Sequence, residues 1–431
     1  MRKTALAVAV GGLFIAPAAQ AQIVFGNETL GTVQFYGKLY PQFGYGTSKD
    51  PTSPTTPAAN LSTLVTGTGT TCGAACSLNT PASRNAVDVQ NSYLGFRGER
   101  VISPPLKFIW QIEQSVNFDN PDCGANGGAN VDSANATCSG FSTRNSFLGA
   151  RTNFGTVKLG IMDTIYKEYG DTFQMFGISS GNFVSASNVL SHIGVGRSNA
   201  ARFHERRANS IQYETPQLAG FTAGYQYSPD EKRDGTVNRS LHSYGIKWDS
   251  RRFYASVHQE IHNDQFGGSS NVGAATLSNI GGPGAHSRDT GTRASGEFRY
   301  SENGRVTLDV SRLKYTESGQ GAGVKFQRYQ HNTWAVGWDQ GLGAWRFAVQ
   351  YVRGNEGSCS VTGAASCTTT GLKGYMLNAG VRFRFDRQTF VYAIAGKLWN
   401  GAATRYDNWA AADPTRGADI VQSALGVSYT F

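Results

Sequence analysis

Beyond its N-terminus this chain has no long apolar run. A helix that crosses a membrane needs about 20 consecutive apolar residues, so the body of the chain is not a helical membrane protein. Charge is scarce: Asp, Glu, Lys and Arg together make up 16% of residues, and acids are the rarer sign, 30 against 39 Lys and Arg, for a formal net charge of +9. Apolar stripes at helical spacing are few, which argues against a helical bundle. No break in composition and no linker divides the 431 residues, although that length would allow two or three soluble domains. No repeat of roughly 20–50 residues suggests a solenoid.

The first residues, MRKTALAVAVGGLFIAPAAQAQ, place Arg2 and Lys3 before a short apolar run and the small-residue site Ala19-Gln20-Ala21. This is the pattern of a secretory signal peptide over residues 1–21, cleaved after Ala21. Loss of Arg2 and Lys3 takes the net charge from +9 to +7. The whole chain is rich in glycine (53 residues) and aromatics (12%), with a mean hydropathy of −0.34. Its texture is uniform: alternating segments about ten residues long, separated by pieces rich in Gly, Asn, Ser and Asp.

Sixteen such segments can be counted, and short turns alternate with long loops throughout. The last segment ends SALGVSYTF, where Leu425, Val427, Tyr429 and Phe431 share one face and Ala424, Gly426, Ser428 and Thr430 the other. Tyr375, Leu377, Ala379, Val381, Phe383 and Phe385 oppose Asn378, Gly380, Arg382, Arg384 and Asp386 in the same way. Trp248, Trp338, Trp345, Tyr429 and Phe431 all fall beside turns or at the terminus, as an interfacial girdle requires. A soluble sandwich also alternates, but an even strand count with turn lengths alternating in this manner is the layout of an outer-membrane barrel. The expected fold is all-β: a 16-stranded antiparallel transmembrane β-barrel spanning residues 22–431, with short periplasmic turns and long external loops.

Several segments carry a resemblance. NSYLGFRGER followed by LKFIWQIEQ, then SFLGARTNFGTVKLGIMDT, then RRANSIQYETPQLAGFTAGYQYS, and the terminal Phe431 resemble general porins of Gram-negative bacteria, in particular the beta-proteobacterial type. The resemblance extends over nearly the whole mature chain. It implies an outer-membrane location, with the lipid bilayer and lipopolysaccharide around the barrel, a homotrimer, and passage of small hydrophilic solutes and ions. It also implies that the third loop, residues 165–206, folds into the lumen. Two features depart from the family: Tyr40 stands where an Asp is usual, and Pro41 interrupts the first strand by removing a ladder hydrogen bond. The acidic PEFGG type of constriction loop is absent.

The facings assign lumen residues. Lys38, Arg97, Arg151, Lys158, Arg382 and Arg384 point inward, and the third loop adds Glu168, Asp171 and Glu205 beside Lys167, Arg197, Arg202 and Arg206. Cations outnumber acids. A ring of fixed positive charge in a narrow bore concentrates anions, so an anion-preferring diffusion channel is expected. A substrate-selective pore, or a barrel whose loops serve as adhesin or receptor, is the alternative.

The six cysteines fall as Cys72 and Cys76, Cys123 and Cys138, and Cys359 and Cys367, each close pair in one external loop. In an oxidising envelope three local disulfides are expected, although six cysteines allow about fifteen connectivities. Catalytic residues, metal sites, cofactors and nucleic-acid partners are not expected. Gly177–Gly181 (GISSG) matches G-x-S-x-G but lacks the strand and helix of a nucleophile elbow. His258 and His262 would stand roughly 13 Å apart on a strand, too far to share a metal.

Overall fold

The computed structural model describes residues 23–27, 31–52, 83–116, 144–195, 201–229, 237–270, 284–363, 366–407 and 416–431. The expected signal peptide, Cys72, Cys76, Cys123, Cys138 and Arg197 lie outside them.

Sixteen staves form one antiparallel sheet. Two of them are broken. β1 runs Gly31–Leu39 and resumes as Gln42–Lys49; β2 runs Arg84–Asp88 and resumes as Tyr93–Ser103. The others are β3 (Leu106–Ser115), β4 (Ser146–Thr152), β5 (Gly155–Asp163), β6 (Arg206–Glu214), β7 (Phe221–Pro229) and β8 (Ser240–Asp249). They continue through β9 (Phe253–Asn263), β10 (His286–Ser301), β11 (Gly304–Ser318), β12 (Phe326–Leu342), β13 (Trp345–Gly354), β14 (Gly374–Arg384), β15 (Thr389–Asn400) and β16 (Asp419–Thr430). Each pairs with the next. The ring closes where β16 meets both halves of β1: Leu425 lies opposite Phe43, and Tyr429 opposite Leu39.

Proline decides where β1 breaks. Pro41 has no N–H to give a ladder, and the strand stops at Tyr40 and restarts at Gln42. The backbone groups around the break are still satisfied. Tyr40 N–H donates to Ser92 Oγ at 3.0 Å, and Val427 N–H donates to the Pro41 carbonyl at 3.1 Å. The break in β2, at 89–92, sits at the same level. Two further short strands lay outside the count made from the sequence. Ile23–Asn27 pairs with β1 where β16 has ended, and Ser358–Val361 pairs with β12.

The alternation in the sequence is the alternation of the wall. Outward positions are apolar and exposed: Phe43, Leu148, Leu159, Ile246, Val257, Leu308, Val336, Leu377 and Leu425 among them. Inward positions are polar and buried, including Gln212, Gln226, Ser243, Glu260, Arg293, Asp309, Gln350 and Asn378. At the short-turn rim the aromatics touch one another. Phe253 stacks on Phe298 at 5.1 Å, Trp345 meets Phe383 edge-on at 4.9 Å, and Phe431 packs against Phe35 and Tyr429 at 5.4 and 5.5 Å. In the seventh loop Cys359 and Cys367 form a disulfide with Cα atoms 5.7 Å apart.

Leu308 lies mid-belt on the outer face of β11, between Val306 and Val310. A Leu308→Arg substitution should cost about 2–4 kcal/mol, as for a cation at the bilayer midplane, measured by denaturant unfolding in lipid vesicles.

Candidate functional site

The segment between β5 and β6 turns back into the barrel instead of leaving it. Its neck is tied: Thr164 N–H donates to the Glu205 carbonyl at 2.9 Å. Asp163 holds Arg206 at 3.2 Å and Lys167 at 3.3 Å. Thr164 caps the helix α1 (Ile165–Gly170), accepting from Lys167 N–H at 3.3 Å. The helix lies on the inner wall of β8–β10. Tyr166 N–H donates to Ser243 Oγ at 2.8 Å, and Tyr254 OH donates to the Tyr169 carbonyl at 2.6 Å. Beyond it, Thr172 Oγ1 donates to Asp309 Oδ2 at 3.1 Å, and Asp309 holds Arg293 at 2.9 Å, both side chains fully enclosed.

From Phe173 onward the loop is held by apolar packing. Phe173, Met175, Phe176, Ile178, Phe183, Val184, Val189 and Leu190 form one cluster with Ala335, Ala348, Val352, Met376, Ile394, Leu398 and Ala424. The second group consists of inward residues of β12–β16, so this part of the inner wall is apolar. Glycines make room for it. A Cβ on Gly337 would lie 2.4 Å from the Phe173 ring, and one on Gly380 2.8 Å from the Phe176 ring. The loop then crosses to β1 and β2. Lys38 Nζ donates to the Gly177 carbonyl, Asn91 donates to the Ser180 carbonyl at 2.6 Å, and Asn182 to Gln42 at 3.0 Å. GISSG is therefore the crossing segment of this loop.

The loop covers the inner wall of β8–β16 and leaves the walls of β1–β6 facing it. Around the remaining bore, on these walls and at its borders on β8 and β14, the inward side chains divide into matched and unmatched charges. Arg144 is bonded to Glu113 at 2.5 Å, and Glu113 also accepts from Tyr36 OH at 3.0 Å. Lys158 and Lys247 share Glu214 at 3.6 and 3.7 Å, and Arg151 stands 4.0 Å from Glu99. Lys38, Arg97, Arg382 and Arg384 form no ion pair among the described residues. Arg97 donates to Gln34 at 2.6 Å and lies over the Tyr36 ring at 4.7 Å. Arg382 lies between the Phe176 and Phe390 rings at 5.8 and 5.0 Å.

Of the loop's three predicted acids, Glu205 is bonded to Arg207 at 3.2 Å, and Glu168 and Asp171 differ. Glu168 faces the open lumen although walls surround it. That enclosure, then the Glu214 carboxylate, push its carboxyl up against the opposing pull of Lys158 and Lys247. Asp171 is bonded to His204 at 3.1 Å. Burial alone would raise its carboxyl, but His204, Lys167 and Arg293 outweigh burial and hold it below the usual range. His258 and His262 serve the packing of the loop. The Tyr166 ring meets His258 at 5.0 Å, and His262 is bonded to Glu260 at 2.9 Å.

Residues missed in the sequence are Arg144, Glu113 and Glu214. Arg144 precedes β4 in a bend, where period two no longer fixes facing. Glu113 and Glu214 could have been found by extending the facing rule to acids.

Asp309→Ala would leave Arg293 enclosed without a counter-charge, at a cost of about 3–5 kcal/mol. Denaturant unfolding in vesicles should show that loss, and the Arg293→Met/Asp309→Leu pair should recover most of it.

A sequence model described as Gram-negative porin matches residues 4–403. The chain is 29% identical over 164 residues to the major outer membrane protein P.IB of Neisseria lactamica, covering 38% of this chain and 40% of that one. The match thus spans about two-fifths of the curated relative's length. Among solved structures, the anion-selective porin from Comamonas acidovorans superposes with a TM-score of 0.63 at 18% identity, covering 93% of this chain and 99% of that one. The trimer form of in-vitro folded OmpT of Vibrio cholerae gives 0.55 at 14% identity, covering 93% and 99%.

Proposed function

This chain belongs to the Gram-negative porin family, and from that premise we propose that it forms a water-filled outer-membrane channel through which small hydrophilic solutes and ions diffuse passively, with anions preferred. The anion preference rests on one observation: around the bore that the third loop leaves open, cations without a carboxylate outnumber acids without a cation. Arg144, Lys158 and Lys247 have carboxylates, while Lys38, Arg97, Arg382 and Arg384 form no ion pair among the described residues. Where the third loop approaches β1 and β2, a passing ion comes within a few ångströms of Lys38 and Arg97. Salt screens over ~8 Å at physiological strength, so charges at such a narrowing act on the ion while charges in a wide vestibule do not. Guanidinium forks suit carboxylates and phosphates moving from one to the next.

In this reading Lys38, Arg97, Arg151, Lys158 and Arg382 line the narrowing opposite Glu168, Arg384 stands at the short-turn mouth, and Asp171 fixes the loop. The neighbour's trimer form supports a homotrimer here as well, which light scattering of the detergent-solubilised protein would test.

In a planar bilayer under a salt gradient, the wild-type channel should give an anion-selective reversal potential. Lys38→Gln with Arg382→Gln should lower the anion-to-cation permeability ratio by roughly fivefold per charge removed, taking about 1 kcal/mol for a unit charge at 4 Å in water. A cation-selective wild type would overturn the proposal.

A further inference from the structure

Around the bore, Lys38, Arg97, Arg144, Lys158, Lys247 and Arg382 each lie against an aromatic ring. Lys38 Nζ stands 4.8 Å from the centre of the Tyr40 ring, Arg97 lies over Tyr36, and Arg382 over Phe176 and Phe390. The matched cations repeat the arrangement: Arg144 over Tyr93 at 4.8 Å, Lys158 over Phe147 at 5.4 Å and Lys247 over Tyr169 at 4.2 Å. An anion filter needs fixed charge, and solvated side chains supply that without rings. Rings next to the charges add a second, directional kind of contact.

Inward positions on β2 run Tyr93, Gly95, Arg97. A Cβ on Gly95 would lie 2.7 Å from the Tyr36 ring, so the missing side chain lets that ring settle against the wall under Arg97. Gln34 accepts from Arg97 Nε at 2.6 Å. One face and one edge of the guanidinium are thereby engaged. No other polar contact of it stands among the described residues, and the side chain is exposed. The Tyr36 and Tyr93 rings meet edge-on at 6.1 Å. Tyr93 is half-buried, so part of its ring is open. An arginine fork and an open ring thus stand together on β1 and β2. Arg382 and Phe390, 5.0 Å apart on β14 and β15, form a second such set, since Phe390 is inward and half-buried.

We infer that, among anions, the channel favours flat aromatic carboxylates. The inference rests on the anion-channel reading and names the solute class within it. A carboxylate takes the remaining edge of the Arg97 fork, and the arene attached to it lies on the open part of the Tyr93 ring. Arg382 with Phe390 offers the same two contacts. An alkyl carboxylate of equal size obtains the ion pair alone, a neutral arene the stacking alone, and chloride has no plane to match the fork. Each contact is exposed to water and therefore weak, which suits passage: a solute must bind well enough to enter and loosely enough to leave. Aromatic cations are kept out by the same unpaired charges.

The test compares benzoate with cyclohexanecarboxylate, which has the same charge and nearly the same size but no π face. Sodium benzoate is placed on one side of a planar bilayer and sodium cyclohexanecarboxylate on the other, at neutral pH. The reversal potential of the wild-type channel should favour benzoate roughly threefold, the worth of one exposed aromatic contact. Tyr93→Leu/Phe390→Leu, which removes two rings and no charge, should bring the ratio close to one. Tyr93→Phe, which keeps the ring, should leave it at the wild-type value. A wild-type ratio of one overturns the inference, and so does a double variant that conducts with its ratio unchanged. If the double variant does not fold, the wild-type ratio decides alone. Because a ratio is read, a general loss of conductance does not imitate the effect. Failure of the channel reading looks different: a wild type that passes no salt current. Saturation-transfer NMR of the detergent-solubilised protein then reads the binding directly, with the Tyr93→Leu/Phe390→Leu protein in the same detergent as reference. Stronger saturation of benzoate by the wild type supports the site, and equal saturation overturns it.

Discussion

Hydrocarbon offers no hydrogen-bond partner, and the architecture of this protein follows from that constraint. Every backbone group in the belt must be satisfied within the sheet, so the sheet must close and β16 must meet β1. The seam tolerates one imperfection. Pro41 cannot join a ladder, and the sequence answers with a break matched in β2 at the same level and with Ser92 as a substitute acceptor for Tyr40 N–H. The seam is therefore two half-strands against one whole strand, with no edge left open where lipid would meet it.

The barrel was legible in the sequence because a wall with lipid on one side and a lumen on the other imposes period two on every stave. Sixteen staves, the closing role of the last and the rim aromatics can all be read from that rule. The short strands Ile23–Asn27 and Ser358–Val361 were not legible. The first completes an edge that β16 leaves, and the second extends a stave beyond the belt, so neither is required by the alternation. Within the lumen, cations on regular strands could be placed by parity, as with Lys38 between outward Gly37 and Leu39. Arg144 could not, because its bend has no parity. The path of the third loop was also hidden. Its receiving surface is written as inward alanines, valines and glycines on β12–β16, which resemble ordinary wall until the loop is seen against them.

The inner face handles charge by two rules. Inside, where the third loop is packed, cations and acids meet in enclosed pairs such as Arg293 with Asp309, because an enclosed charge without a partner is costly. Toward the remaining bore the pairing lapses at Lys38, Arg97 and Arg382. Unpaired cations thus gather where solvent can approach them.

The apolar seat of the third loop has a consequence for how such a molecule can change. The free cross-section is whatever the bulk of Phe173, Phe176 and Phe183, pressed against small residues of the far wall, leaves over. Of the charges that meet a traveller, Lys38, Arg97, Arg151 and Lys158 stand on the opposite side, on other strands, while Arg382 shares β14 with the seat and lies over the Phe176 ring. Apart from Arg382, calibre and sign are therefore written in separate sets of residues, so a lineage can alter the size of what it admits without altering the polarity it favours, and the reverse.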